Sequence, residues 1–297
     1  MSEQPANARR LRPGGEPSLT TALELQGGTL LALVGGGGKT SLMYAAAEEL
    51  AAAGRRVVCT TTTKIFPPAA DQHDRLLLNA DADALRAQLQ EVFAPDRRSA
   101  EGGSGGRARQ PRVVVARRLI ENGKLEGVPA QWPLEFLRRG LADVVLVEAD
   151  GAARKPFKAP AAHEPVLPEG ATMVAAVVGL DALGSPLDAE HVFRPEMVAE
   201  LCAQAMGSEV SIPSITRVLL SPRGFLKDVP EGIAFCAVVN KVDGAAQLPL
   251  ASKLGMSILR CGGRRVRRVI LTRLHPSPTV LAILLPEVLS SPTSPWA

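Results

Sequence analysis

The chain has 297 residues, 46% hydrophobic but only 3% aromatic, and 34 Lys+Arg against 30 Asp+Glu give it a formal charge of +4. This length and apolar content suit one large α/β domain with a core of Val, Leu and Ala, and exclude a wholly disordered chain. The mild basic excess fits a phosphate-bearing ligand, whereas one Tyr and two Trp, without interleaved basic residues, argue against a nucleic-acid stacking surface.

Residues 1–18 are polar with Pro and Gly, lack the apolar stretch of a signal peptide, and read as a disordered tail. A strand, "TLLALV" (29–34), leads into four glycines and a helix from Lys39 to Ala53. "RRVVCT" (55–60) is a second strand, "RLLLNA" (75–80) a short one, and "DADALRAQLQEVF" (81–93) a helix capped by Asp81 or Asp83. A Gly/Ser/Arg-rich stretch without periodicity marks a flexible insertion at about 97–111. Strand character resumes at "VVVARRL" (113–119), a helix follows at 130–141, and "ADVVLVEADG" (142–151) is the cleanest buried strand. Four prolines then impose an extended loop on "AARKPFKAPAAHEPVLPEG". "TMVAAVVGL" (172–180) and "IAFCAVVN" (233–240) are buried strands with helices at 194–207 and 211–221 between them, and "GGRRVRRV" (262–269) gives a solvated strand face. The alternation predicts an α/β fold, a mostly parallel sheet flanked by helices in three layers like a P-loop NTPase. Its domain runs from 19 to 275, with a Pro-rich tail at 276–297. No apolar run is long enough for a bilayer, and four scattered cysteines without a C-x-x-C pair fit a reducing cytoplasm.

Three motifs carry chemistry. In "GGGGKTS", Gly35, Gly36, Gly37 and Gly38 give a backbone cradle for phosphate between a strand and a helix N-terminus. Lys39 reaches the outer phosphates, the Thr40 hydroxyl takes Mg²⁺, and Ser41 continues the turn. The usual G-x-x-x-x-G-K-[ST] pattern has glycine where this chain has Leu33, so Gly35 must supply the turn. In "VEADG", Glu148 ends a strand where it holds Mg²⁺ through water, Asp150 is a second metal ligand or orients a water, and the Gly151 N–H faces the γ-phosphate. In "NKVD", Asn240, Lys241 and Asp243 match the guanine reader N-K-x-D, whose carboxylate bonds the base while the lysine stem covers it. The order of the three favours GTP over ATP. "TTTTK" adds Thr62, Thr63 and Lys64 at the same sheet edge, where ligands bind in open α/β folds; one of the threonines meets Mg²⁺ or the γ-phosphate, and Lys64 neutralises phosphate charge or binds a second substrate. The Pro-rich loop adds Lys155 and Lys158, whose charge suits an anionic partner or substrate, and His163 with Glu164 as an acid–base pair or a metal-ligand pair. Cys59 reads as core.

"GGGGKTSL", "TTTTKI", "GKLEGVP", "VEADGA", "KPFKAPAAHEPVLP", "GLDALG" and "NKVD", in this order, resemble the YqeC family from about Thr29 to Asp243. The resemblance implies an accessory role in maturing selenium-dependent molybdenum hydroxylases, with such an enzyme as client. E-x-x-G followed by N-K-x-D is also similar to GTPases that deliver nickel or cobalamin, but their Cys/His metal motifs are missing here. The resulting expectation is a Mg²⁺-dependent GTP or ATP hydrolase, without nucleic-acid or membrane partners. A small-molecule kinase or ligase using Lys158, His163 and Glu164, and a nucleotide-dependent binding module without turnover, are the alternatives.

Overall fold

A computed structural model describes residues 17–94 and 107–286. Nine strands form one sheet: β1 (Thr29–Gly35), β2 (Val57–Thr61), β3 (Arg75–Leu78), β4 (Arg112–Ala116), β5 (Val144–Glu148), β6 (Met173–Gly179), β7 (Ala234–Asn240), β8 (Val266–Arg273) and β9 (Thr279–Leu284). Their spatial order is β9-β8-β7-β6-β1-β5-β2-β4-β3, parallel throughout except for the β8–β9 pair. The central strands are continuous Val, Leu and Ala because both faces are covered. Alternation along each strand then assigns side chains to opposite layers. On β1, Leu31 and Leu33 join one apolar cluster while Ala32 and Val34 join another.

Helices α1 (Leu19–Ala22) and α2 (Lys39–Ala52) cover the first face. The other face carries α3 (Ala82–Val92) and α4 (Trp132–Arg138) beside the β4 side, and α5 (Pro195–Cys202), α6 (Ile212–Leu220) and α7 (Leu248–Gly262) beside the β7–β8 side. The result is the expected three-layer α/β architecture, consistent with a P-loop NTPase-like fold. The Asp81 side chain accepts from the Ala84 N–H and so caps α3, settling the choice between Asp81 and Asp83.

Several boundaries differ from expectation. The whole of α7 was not anticipated; its Pro249 sits in the first turn, and Gly255 lies so close to β8 and β9 that a Cβ would be 2.5 Å from Leu284. Residues 279–284 form β9, not a Pro-rich tail, because their apolar side chains complete the cluster at that edge. Arg268 is buried, not on a solvated face: its Nη1 donates to the Ala22 carbonyl (3.0 Å) and it pairs with Glu24. The helix expected to reach 207 stops at Cys202, where Ala203 turns left-handed (φ +52°). The expected insertion is docked at its C-terminal end: the Gln110 N–H donates to the Ala51 carbonyl and Arg109 pairs with Glu48 and Asp74. Its first part (97–106), residues 1–16 of the expected tail and residues 287–297 lie outside the described residues, while Ser18 is ordered as the N-cap of α1. Among the described residues no helix is long and apolar enough to cross a membrane.

Candidate functional site

The parallel strands β1 to β8 finish on one edge of the sheet, and the last residues of three of them, Gly35, Glu148 and Asn240, were singled out by the sequence. Register places Leu33 opposite Glu148, Thr61 opposite Glu148, Gly35 opposite Val177, and Gly179 opposite Asn240. The glycine loop, the E-x-x-G turn, the threonines and N-K-V-D therefore converge at the carboxyl ends, the ligand edge of an open α/β sheet.

The loop begins at Gly35 because β1 runs on through Leu33 and Val34, both fully buried. Gly37 has φ +73°, and a Cβ there would meet the Gly179 nitrogen at 2.1 Å, so no other residue fits. Protein carbonyls already take two of the loop's N–H groups: Gly36 donates to Val177 and Gly37 to Lys155, both at 2.9 Å. The N–H groups of Gly38, Lys39, Thr40 and Ser41 open α2 with no turn beneath them, which makes that end suited to an anion.

Beneath the loop lies a buried chain of alternating charge. Lys39 Nζ donates to the Gly35 carbonyl (2.5 Å) and stands 3.1 Å from Asp150 Oδ1 and 3.8 Å from Glu148 Oε1. Asp150 Oδ2 accepts from the Gly35 N–H (3.1 Å) and faces Lys158 Nζ at 3.0 Å. Lys158 Nζ also donates to Glu164 (2.6 Å) and the Gly151 carbonyl (2.6 Å), and Glu164 is clasped by Arg194. Burial pushes the Lys39 ammonium down, but Asp150 and Glu148 more than offset it and its pKa is raised. Burial pushes the Glu148 carboxyl up against the opposing pull of Lys39 and the Thr40 hydroxyl, which donates to it at 2.7 Å. Burial also acts on Glu164, yet Arg194 and Lys158 hold it down at about 2.

Above this floor opens a cleft of ≈ 520 Å³ that includes Gly37 to Ser41, Lys64, Glu148, Gly151, Asn240, Lys241 and Asp243 in its lining. Asn240 is buried and braces the loop: its Nδ2 donates to the Gly37 carbonyl (2.7 Å) while its Oδ1 accepts from Thr272 (3.1 Å). Lys241 (φ +62°) pairs with Asp181 at 2.7 Å, and Asp243 is exposed. Thr40 and Glu148 offer hard oxygen donors beside the open N–H groups, a set suited to Mg²⁺ at a phosphate. Among the described residues no group of three or more His, Cys, Asp or Glu could hold a metal ion, so a softer metal has no site of that kind.

Other expected site residues lie elsewhere. Asp150 is fully buried and turned to Lys39, Lys158 and the Gly35 N–H, so it neutralises the floor instead of facing a metal in the cleft. Lys158 is fully buried in that chain, where both carboxylates hold it away from any ligand. His163 is exposed and is not part of the cleft, because the loop turns it outward while Glu164 turns in. Thr62 gives its hydroxyl to the Val166 carbonyl (2.5 Å), and Thr63 stands 3.2 Å from Thr61, which bonds the Glu148 carbonyl. The acceptor site expected of Lys158, His163 and Glu164 is therefore not assembled. Cys59 is core as expected, its thiol pushed up to about 12 by burial. Lys155 of the Pro-rich loop does line the cleft, whereas sequence reasoning passed over Phe66, Gln72, Lys124, Arg154 and His275, which line it too; His275 Nε2 lies 3.0 Å from Ser41 Oγ. The Gly123–Pro129 block was the available signal for Lys124, since a tip that folds over the threonines must place its lysine at the cleft.

The fold and site define a three-layer α/β protein with a glycine loop and an acidic strand end meeting at the carboxyl edge of its sheet. Within that class, the chain belongs to the YqeC family, whose profile, described as YqeC protein, matches residues 31–196. It is 30% identical over 119 residues to the "Uncharacterized protein YqeC" of Escherichia coli (strain K12), a match covering 40% of this chain and 46% of that relative. No solved structure matches. The family match covers the glycine loop, "TTTTK" and "VEADG" but stops before Asn240.

Proposed function

We propose that this protein binds a Mg²⁺–nucleoside triphosphate, GTP in preference to ATP, and serves as an accessory factor in maturing a selenium-dependent molybdenum hydroxylase. One observation carries the nucleotide reading: the open N–H groups of Gly38 to Ser41, the Glu148 carboxylate and the Asn240-Lys241-Asp243 turn line one cleft. The N–H groups bind phosphate, Lys39 draws the outer phosphate charge, and Thr40 with Glu148 would hold Mg²⁺. Mg²⁺ there supplies charge neutralisation across the phosphates. Asp243 accepts from the base, while Asn240 fixes the loop and does not itself contact a ligand. The client role rests on the family resemblance alone.

Equilibrium binding of fluorescent GTP and ATP analogues, with and without Mg²⁺, tests the reading. Mg²⁺-dependent binding that prefers GTP and is lost in Lys39→Ala supports it. Preference for ATP removes the base-reading role of Asp243, and binding of neither nucleotide overturns the assignment.

A further inference from the structure

The nucleotide reading leaves one wall of the cleft without a task. Lys64, Lys124, Arg154 and Lys155 all line it, and among the described residues none has a carboxylate within 4.0 Å. They contrast with Lys39 and Lys241 in the same cleft, which are both paired.

The wall is built deliberately by the fold. Short strands Lys64–Ile65, Leu125–Glu126 and Arg118–Leu119 form a small antiparallel sheet that arches over the threonine stretch. Gly127 seats it: a Cβ would lie 2.5 Å from the Thr61 carbonyl oxygen, and the Gly127 and Val128 N–H groups donate to Thr63 and Thr61 at 2.7 and 2.8 Å. From this sheet Phe66 projects half-exposed, and the Lys124 ammonium and Arg154 guanidinium each lie 4.9 Å from its ring centroid. Contact with the ring restrains two long side chains that would otherwise lose rotamer freedom on binding, so the cations are partly pre-organised. Lys155 is tethered through its ammonium to the Glu190 carbonyl (2.5 Å).

We infer that Lys64, Lys124, Arg154 and Lys155 form a second anion subsite that takes the phosphate or pyrophosphate group of a second small-molecule substrate beside the nucleotide. The inference rests on the nucleotide reading for its word "second". Three ammonium groups and one guanidinium fork suit a multiply charged phosphate better than a lone carboxylate. The nucleotide's own phosphates already have the helix N-terminus, Lys39 and Mg²⁺, which leaves the wall's charge for another anion.

The test is calorimetric titration of inorganic pyrophosphate into the full chain saturated with a non-hydrolysable GTP analogue, at matched free Mg²⁺. One-to-one binding is expected, weakened at least about tenfold in the Lys124→Ala/Arg154→Ala double variant by loss of two charge-assisted contacts. The analogue's own affinity should shift by less than about threefold in that variant, and both side chains are solvent-accessible, so its melting temperature should hold. Absence of pyrophosphate binding to the loaded wild type overturns the inference. So does a parallel loss of both ligands in the double variant, which would assign the wall to the nucleotide's phosphates. If no nucleotide binds, the nucleotide reading has failed by itself, and pyrophosphate is titrated into the free protein. Binding lost in the wall variant but kept in Lys39→Ala then upholds the subsite, and any other result rejects it.

Discussion

The floor and the wall of the cleft handle positive charge in opposite ways. On the floor, Lys39 and Lys158 are buried and alternate with Asp150 and Glu164 at ion-pair distances. On the wall, Lys64 and Arg154 are exposed and have no carboxylate partner among the described residues. Burying ions costs desolvation that pairing recovers only in good geometry, so the floor fixes a shape more than it adds stability. The wall keeps its charges hydrated and without a protein partner.

The sharpest break of this comparison is Lys158→Ala. It takes one of two cationic partners from each of the buried carboxylates Asp150 and Glu164, which keep Lys39 and Arg194, and should lower unfolding free energy by about 3 kcal/mol, read from urea denaturation. Lys158→Met in combination with Asp150→Asn, which removes one charge of each sign and leaves the Lys39–Glu148 and Glu164–Arg194 pairs in place, should recover much of that loss. Next comes Lys39→Ala, expected to weaken nucleotide binding about 10- to 100-fold through loss of a charged contact worth roughly 1.5–3 kcal/mol. Asn240→Ala deletes bonds to Gly37 and Thr272 and should cost about 1–3 kcal/mol of stability in the same denaturation assay.

Acidification gives a smaller, signed effect. Glu164, faced by Lys158, Arg194 and the Lys227 ammonium at its carbonyl, has a folded pKa near 2 against an ordinary value of 4.5. A depressed carboxyl contributes stability above the unfolded value and loses it as pH falls from about 4.5 toward 2. Glu164→Gln should flatten that part of the stability–pH curve, and an unchanged slope would show that Glu164 is not held ionised. On the wall, Lys124→Ala should move stability by no more than about 0.5 kcal/mol.

The buried parallel strands were legible because a strand covered on both faces must read as an apolar run, and "TLLALV" and "VVLVE" leave little choice. The glycine loop was legible for a similar reason, since four glycines between strand and helix need a cause. The helix α7 was not, because Pro249, Gly255 and Gly262 read locally as breakers, while packing against β8 and β9 makes Gly255 necessary. The roles of Asp150 and Lys158 escaped for another reason. Proximity in sequence to Glu148, the expected Mg²⁺ carboxylate, suggested ligand contact, but which side chain turns inward depends on pairings between positions 39, 150, 158, 164 and 194. His163 illustrates the same limit, standing next to inward Glu164 and pointing out. Of the wall, Lys64 and Lys155 were legible singly as basic residues at the ligand edge, but their grouping with Lys124 and Arg154 was not, because the four come from three separated segments joined only when Gly127 lays one over another.

If the cleft holds a nucleotide as proposed, the Asn240 side chain links its two ends. One amide holds the Gly37 carbonyl with its nitrogen and Thr272 with its oxygen, and the next residue but two is Asp243. A ligand group that orders the turn at 241–243 therefore acts on the same amide that sets the loop at Gly37. Reciprocity then requires that whatever factor a base contact adds to phosphate affinity, phosphate returns to the base. In a double-mutant cycle, substituting Asn240 should make base and phosphate contributions closer to additive.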